Sequence, residues 1–565
     1  MMFLFLRKSY WVNSMAQKEF YTKNYFNSRR AEMEIAYNAL KPDWQDLADY
    51  FLPRSVRFLS RNVNKQPAKN RKIKDSTPLI AVRNFSSGMM SGATSPATNW
   101  FKVRVRGFES ETSYEVKSWC SKVESLLRDI FNSSNLYRVL PSVYKQLGVF
   151  GISALALQED ETSIFRCQLL PIGSYRIARN SKGEIDTICR VYMETAKNLY
   201  DAFGEENVSK NVLNAIHSNR YEEMFEVVHF VEPNKDFMPD SLWAKDKAFV
   251  SVYYEYVSTE EKFLSKSGFD KFPYAIFESE INGEDVYPCE CPGVNALPDV
   301  KQLMSMVIDE GKAVKKMISP TYKGPASLKN KKMVDAPAAF IEEDENGRGL
   351  SPVYEVNPRV LEVESIIEKL KQSIKEIFYN DLFAMILNTA ERSRTATEVN
   401  ELKEEKMVLL SPLLQQIHNG LNIIIDWVFN ECIKLNILPE PPSEIMGANM
   451  DIEFVSTLAQ AQKAIKISAM ERFTTFAINL ANTMDSSLTK KINASKMIDD
   501  YADYANISPE QLVPTLEVEK YRQKEEENQK QQTAIEQAKQ SVEIIQNIAG
   551  TDASGSDLLS RLGIL

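Results

Sequence analysis

Two stretches of this chain, 297–318 and 359–387, carry clear helical periodicity, and the turn-rich segment between them, 319–358, does not. In the first, Val300, Leu303, Met304, Val307, Ile308, Val314 and Ile318 fall mostly on one side, with Pro298 placed where a first turn tolerates it. In the second, Val363, Ile366, Ile367, Leu370, Ile374, Ile377 and Phe378 recur at i, i+3, i+4 and i+7. Pro320, Gly324 and Pro325 stop the first helix, and Asn357 with Pro358 precedes the second. At 1.5 Å per residue the rods would be roughly 33 and 43 Å long. Two long helices around a small strand-containing excursion make a stalk with a tip. Such a pair cannot bury both apolar stripes on itself. Identical copies stacked around an axis would bury them through a heterologous interface that closes. Leu303, Val307, Val314, Ile366, Leu370, Ile374 and Ile377 are therefore the expected contacts between copies.

The rest of the 565 residues is too long for one compact core and divides into several regions. The fold class expected is α+β, mainly helical. Helices are predicted over 25–60, Thr77–Gly92, Ser113–Phe131 and Leu136–Gly148, with a strand at FKVRVRG (101–107). From 152 to 280 the period changes to two. Strands are expected at Ile152–Leu157, Phe165–Leu170, Tyr175–Arg179, Ile185–Met193, Phe225–Glu232, Val250–Tyr256 and Tyr274–Phe277, interrupted by a helix over Ala196–Val212. Past Leu387, the polar break NTAERSR (388–394) leads into a long helix to about Leu435. Thr395, three positions before Glu398, supplies a capping box, and Pro412 and Gly420 are expected to bend that helix. Two or three short helices follow over 457–508. Residues 515–548 then form a long, very polar helix with too few apolar positions for a coiled coil on its own.

Chemistry is hard to find. The net charge of −9 does not suit a protein that wraps nucleic acid tightly, but does suit a weakly repelling wall past which DNA slides. There is no phosphate-cradling G-x-x-x-x-G-K-[ST] loop and no G-x-S-x-G nucleophile turn. The three histidines, His217, His229 and His418, lack metal-ligand spacing, and His229 in FEVVHFVEP reads as a packed strand residue. Cys289 and Cys291 have no second Cys/His pair nearby to complete a zinc site. The acidic run EEDEN (342–346) lacks calcium-loop spacing. Six scattered cysteines read as reduced thiols. No membrane insertion is expected, because no run of apolar residues is long enough to span a bilayer. Residues 1–14 read as an upstream-start artefact or a flexible tail, with Met15 opening a more ordinary beginning. No cofactor, no metal and no enzymatic activity are expected.

Four motifs in the same order carry a resemblance. DSTPLIAVRNFSSGMMSGATSPATNWFKVRV (75–105), GSYRIARNSKGEIDTICRVY (173–192), CPGVNALPDVKQLM (291–304) and RTATEVNELKEEKMVLLSPLLQQI (394–417) resemble the portal, or head-to-tail connector, proteins of podoviruses, the short-tailed phages. The resemblance spans roughly 25–510. It implies a portal fold: an α/β wing over 15–295, a stem of helices 297–318 and 359–387, and a clip over 319–358. The channel loop would be 388–394, the long wing helix 395–437, the crown 441–510 and a terminal barrel helix 511–550. The resemblance also implies a homododecameric ring at one capsid vertex, meeting the major capsid protein, the terminase motor, tail adaptor or nozzle proteins, and translocating double-stranded DNA without sequence specificity. Localisation would be the virion, after assembly in the host cytoplasm. Asn388, Thr389, Glu391, Arg392, Ser393 and Arg394 would form the channel loop, with two readings open for the arginines: contact with the DNA backbone, or ion pairs to Glu391 or Glu398 of a neighbouring copy. Lys329, Lys331 and Lys332 in the clip would meet the motor or adaptor, or form plain solvated surface. A channel-less helical scaffold or adaptor protein of a virion is the competing reading.

Overall fold

In the computed structural model the described residues are 21–58, 72–105, 114–239, 241, 243–258, 260–318, 322–323, 351–352, 360–387, 396–445, 450–454, 457–483, 493–505, 507, 511–513 and 515–548. The chain divides into two compact units. The larger comprises residues up to Lys102, Val123–Pro439 and Ile452–Leu458; the smaller comprises Val103–Lys122, Glu440–Asp451 and the chain from Ala459 onward.

The larger unit is organised around a five-stranded antiparallel sheet in the order β4-β5-β6-β7-β8. Its strands are Tyr175–Arg179 (β4), Ile185–Thr195 (β5), Met224–Pro233 (β6), Phe249–Glu255 (β7) and Ser265–Phe269 (β8). Helix α1 (Lys23–Tyr50) covers one face, where its Phe26 and Met33 meet Val228, Phe230, Val252 and Tyr254. Two short helices, α5 (Ala196–Phe203) and α6 (Lys210–His217), bury Leu199 and Val212 with Val227 and Leu264 in a second core. The sequence predicts one helix over Ala196–Val212. The chain breaks because Gly204 takes φ 78° and ends α5, while Ser209 caps α6. Strand β8 escapes the sequence reading because SKSGF has no apolar alternation.

A second sheet has the order β3-β2-β9, from Ile164–Leu169 (β3), Ile152–Asp160 (β2) and Tyr274–Glu278 (β9). In β2 the residues Ile152–Leu157 are buried without alternation, as expected of a central strand covered on both faces. Helix α4 (Leu136–Phe150) packs against β2, and the 39-residue α10 (Ala396–Lys434) packs against β9. Gly420 lets α10 approach, since a Cβ there would lie 2.6 Å from the Phe277 ring. The predicted capping residue Thr395 lies outside the described residues. Helices α2 (Thr77–Ala93) and α3 (Tyr114–Ser133) follow the predicted bounds to within two residues, and β1 (Phe101–Val105) carries the expected alternation.

Among the described residues two helices occupy 457–505, within the expected two or three, but the first, α11 (Thr457–Thr483), is 27 residues long and not short. It is followed by α12 (Ala494–Ala505) and α13 (Thr515–Ile548). Strand β12 (Met450–Phe454) precedes them along the chain, its last three residues belonging to the larger unit.

Candidate assembly interface

The two predicted rods are α7 (Pro292–Ile318) and α8 (Val360–Ile377), packed against each other. Helix α7 begins five residues before the predicted start, so Pro298 lies inside it. That segment is held by packing: a Cβ on Gly293 would fall 2.4 Å from the Val149 carbonyl oxygen, and Ala296 and Val300 are fully buried. The second rod does not run unbroken to Leu387. Tyr379 adopts φ 56°, ending α8, and the chain restarts as α9 (Asn380–Leu387). Aromatic anchoring enforces the break. The Phe378 ring lies 5.6 Å from that of Phe51 and 6.1 Å from that of Phe85, and Phe383 packs on Phe85 from the far side of the kink at 6.0 Å.

Polar contacts lock the root of the pair to the body. Ser373 Oγ donates to Asp299 at 2.7 Å, setting the antiparallel register of α7 on α8. Lys371 pairs with Asp75 at 3.4 Å, and Lys301 pairs with Asp46 of α1 at 2.7 Å. The Met304 sulfur accepts from the backbone N–H groups of Lys74 and Asp75 at 3.1 and 3.3 Å. Asp75 also accepts from the Thr77 N–H at the start of α2, and these donors hold its carboxyl below the usual carboxylate range against the opposing effect of burial. The sequence offers no periodic signal for such pairs, because their members are distant along the chain.

The α8 surface carries two apolar stripes. Ile367, Ile374 and Phe378 face inward and are buried. Val363, Ile366, Leu370 and Ile377 form an adjacent flank that the chain itself leaves exposed or half-buried, Ile366 at 43%. On α7 the stripe is covered at its root, through Val300, Leu303 and Met304, and loses cover beyond Val307. Val314 and Ile318 lie on the same side yet are 37% and 75% exposed.

This sorts the expected copy-to-copy contacts. Val307, Val314, Ile366, Leu370 and Ile377 retain surface for a partner. Leu303 and Ile374 do not: both are fully buried inside one chain, and they belong to the core that roots the rods. Periodicity alone could not separate them, since core and interface positions share the same helical spacing. Ile308 and Met317, at 38% and 49% exposed, add to the uncovered surface. The loop residues Asn388, Thr389, Glu391, Arg392, Ser393 and Arg394, and the excursion lysines Lys329, Lys331 and Lys332, lie outside the described residues, as does the acidic run 342–346. A two-residue ladder, Tyr322–Lys323 (β10) with Ser351–Pro352 (β11), joins the two ends of the excursion.

The other residues weighed for chemistry have structural partners. His229 is buried, with Nε2 2.9 Å from the Ser251 hydroxyl, Nδ1 2.7 Å from the Tyr274 hydroxyl, and its ring stacked 3.8 Å from Tyr253. Burial drives its pKa down to about 3, so the ring is neutral. Cys291 donates to the Val149 carbonyl from a buried position while Cys289 is exposed, and His418 stacks on Phe454 at 4.1 Å. Among the described residues no helix is long and apolar enough to cross a membrane.

The sequence profile described as bacteriophage head to tail connecting protein matches residues 23–513. The chain belongs to that family. Two curated members are similar over nearly their whole length. The portal protein of Salmonella phage epsilon15 is 34% identical over 535 residues, covering 94% of this chain and 96% of that protein. The probable portal protein of Bordetella phage BPP-1 is 32% identical over 539 residues, covering 95% and 94%. Among solved structures, a chain from the neck of an empty gene transfer agent particle covers 78% of this chain and 91% of its own, with 10% identity and a TM-score of 0.37. The head-to-tail connector match thus includes the α7–α8 pair, its exposed flanks and the smaller unit as far as residue 513.

Proposed function

We propose that this chain is the subunit of a phage portal, a twelve-membered ring at one capsid vertex through which double-stranded DNA enters and leaves the head. The observation that carries the reading is a family match that includes a helix pair whose root is buried in its own chain and whose flank is not. Residues 15–295 serve as wing, α7 and α8 as stem, 319–358 as clip and 441–510 as crown. The ring docks the terminase motor and tail adaptors and contacts the capsid shell, working by shape and assembly and not by catalysis. Exposed Glu364, Glu368 and Glu376 put carboxylates on part of the α8 surface, while α7 and α8 together carry as many lysines as acidic residues. Where such a surface meets phosphate, like charge keeps DNA from sticking. Arg392 and Arg394, which lie between α9 and α10 along the sequence, are assigned to the channel loop in this reading.

Packaging by virions carrying Arg392→Ala with Arg394→Ala tests the loop assignment. Rings are expected to form normally while DNA packaging or retention falls. Wild-type packaging by the double variant removes the assignment.

A further inference from the structure

Helices α11 and α12 form an antiparallel pair within the smaller unit. Three contacts fix the register: Lys466 lies over the Tyr504 ring at 5.1 Å, Tyr501 donates to Glu471 at 3.1 Å, and the Thr474 hydroxyl meets the Met497 sulfur at 3.9 Å. As one residue number rises the other falls, so each level of α11 has a defined counterpart on α12.

Outside that seam, each helix carries a short apolar stripe. On α11 it runs Ala469, Phe473, Phe476, and the two rings are 55% and 62% exposed. On α12 it is Ala494 and Ile498, about one turn apart, with Ile498 58% exposed; Tyr501, next along that side, belongs to the seam. At 100° per residue the α11 stripe is turned well past a right angle from the seam, and the α12 stripe somewhat less than a right angle. Because the helices are antiparallel, these rotations carry the stripes to opposite faces of the two-helix layer. The contacts also place Phe473 level with Ile498, and Phe476 within one residue of the level of Ala494. One face is bulky, with two phenylalanines; the other is lower, with Ala494 flanking Ile498.

We propose that this pair is a second interface between copies of the chain, in which Phe473 and Phe476 of one copy pack onto the Ala494–Ile498 face of the next. Opposite faces make the contact head-to-tail, and equal levels leave no shift along the helix axes from one copy to the next, which is compatible with a closed ring. Burying two phenylalanine side chains per contact is a substantial hydrophobic gain. The inference rests on the portal reading for its ring, yet it concerns the smaller unit alone and fails independently of the α8 flank.

The test is pairwise cross-linking in the full-length protein with Cys289→Ser, which removes the exposed native thiol. Phe473→Cys and Ile498→Cys are introduced singly and together, rings are verified by negative-stain imaging, and a short bis-maleimide is added. The double variant is expected to give a ladder of covalent multimers, and each single variant none. Rings without a ladder overturn this interface while leaving the portal reading intact. Covalent dimers from Phe473→Cys alone overturn the head-to-tail arrangement; a wild-type protein that forms no rings overturns both readings, whereas loss of rings in the cysteine variants alone counts for the contact. Phe476→Asp adds an independent readout: at least a tenfold loss of rings at equal protein concentration, with unchanged helical content, supports the contact, and undiminished assembly counts against it.

Discussion

His229 shows how a residue that invites a chemical reading is settled by its surroundings. Both ring nitrogens have hydroxyl partners, and burial, with Arg190 nearby, holds the ring neutral in the folded protein with a pKa of about 3. Unfolded, it would titrate near 6.5. The folded value lies below the unfolded one, so the stabilisation is intact above pH 6.5 and is lost as pH falls toward 3. The loss is about 1.4 kcal/mol per pH unit within that window. Thermal unfolding followed at pH 7 and pH 5 should show a lower transition at pH 5, and His229→Gln should shrink that difference; an equal difference in both proteins contradicts the assignment. Gly88 gives a steric prediction at the same scale. A Cβ there would lie 2.1 Å from the Phe383 ring, which anchors α9 against α2. Gly88→Ala should cost about 1–3 kcal/mol through overpacking, read as a lowered midpoint in thermal melts.

At the scale of elements, the α8 stripes make opposite predictions for neighbouring positions. Ile374→Ala removes fully buried volume and should destabilise the subunit by about 2–5 kcal/mol. Ile366→Asp with Leu370→Asp touches the uncovered flank and should leave the circular dichroism spectrum and melting unchanged while abolishing rings on gel filtration. The two rods, most strands and the long α10 were legible in the sequence, because apolar period reports the type of element and the side it turns from water. What was not legible has identifiable causes. The split of α5 from α6 and of α8 from α9 depends on single left-handed residues, Gly204 and Tyr379, and nothing in the local sequence marks a tyrosine for that conformation. The roles of Leu303 and Ile374 were misread because a core stripe and an interface stripe look alike until the covering chain is known. Polar locks such as Lys371 to Asp75 and Ser373 to Asp299 join residues far apart along the chain.

For the whole molecule, the family match favours a protein whose function is the object it builds. The larger unit has its own cores, and the smaller unit offers opposed apolar faces on α11 and α12. Each leaves surface that a lone subunit would keep in water, and both kinds of surface are covered if copies surround a hollow axis. The account is tested most directly by imaging the purified full-length protein with rotational averaging. It predicts closed twelvefold rings with a central hole. A well-folded protein that remains a single subunit across protein concentration and ionic strength would contradict it.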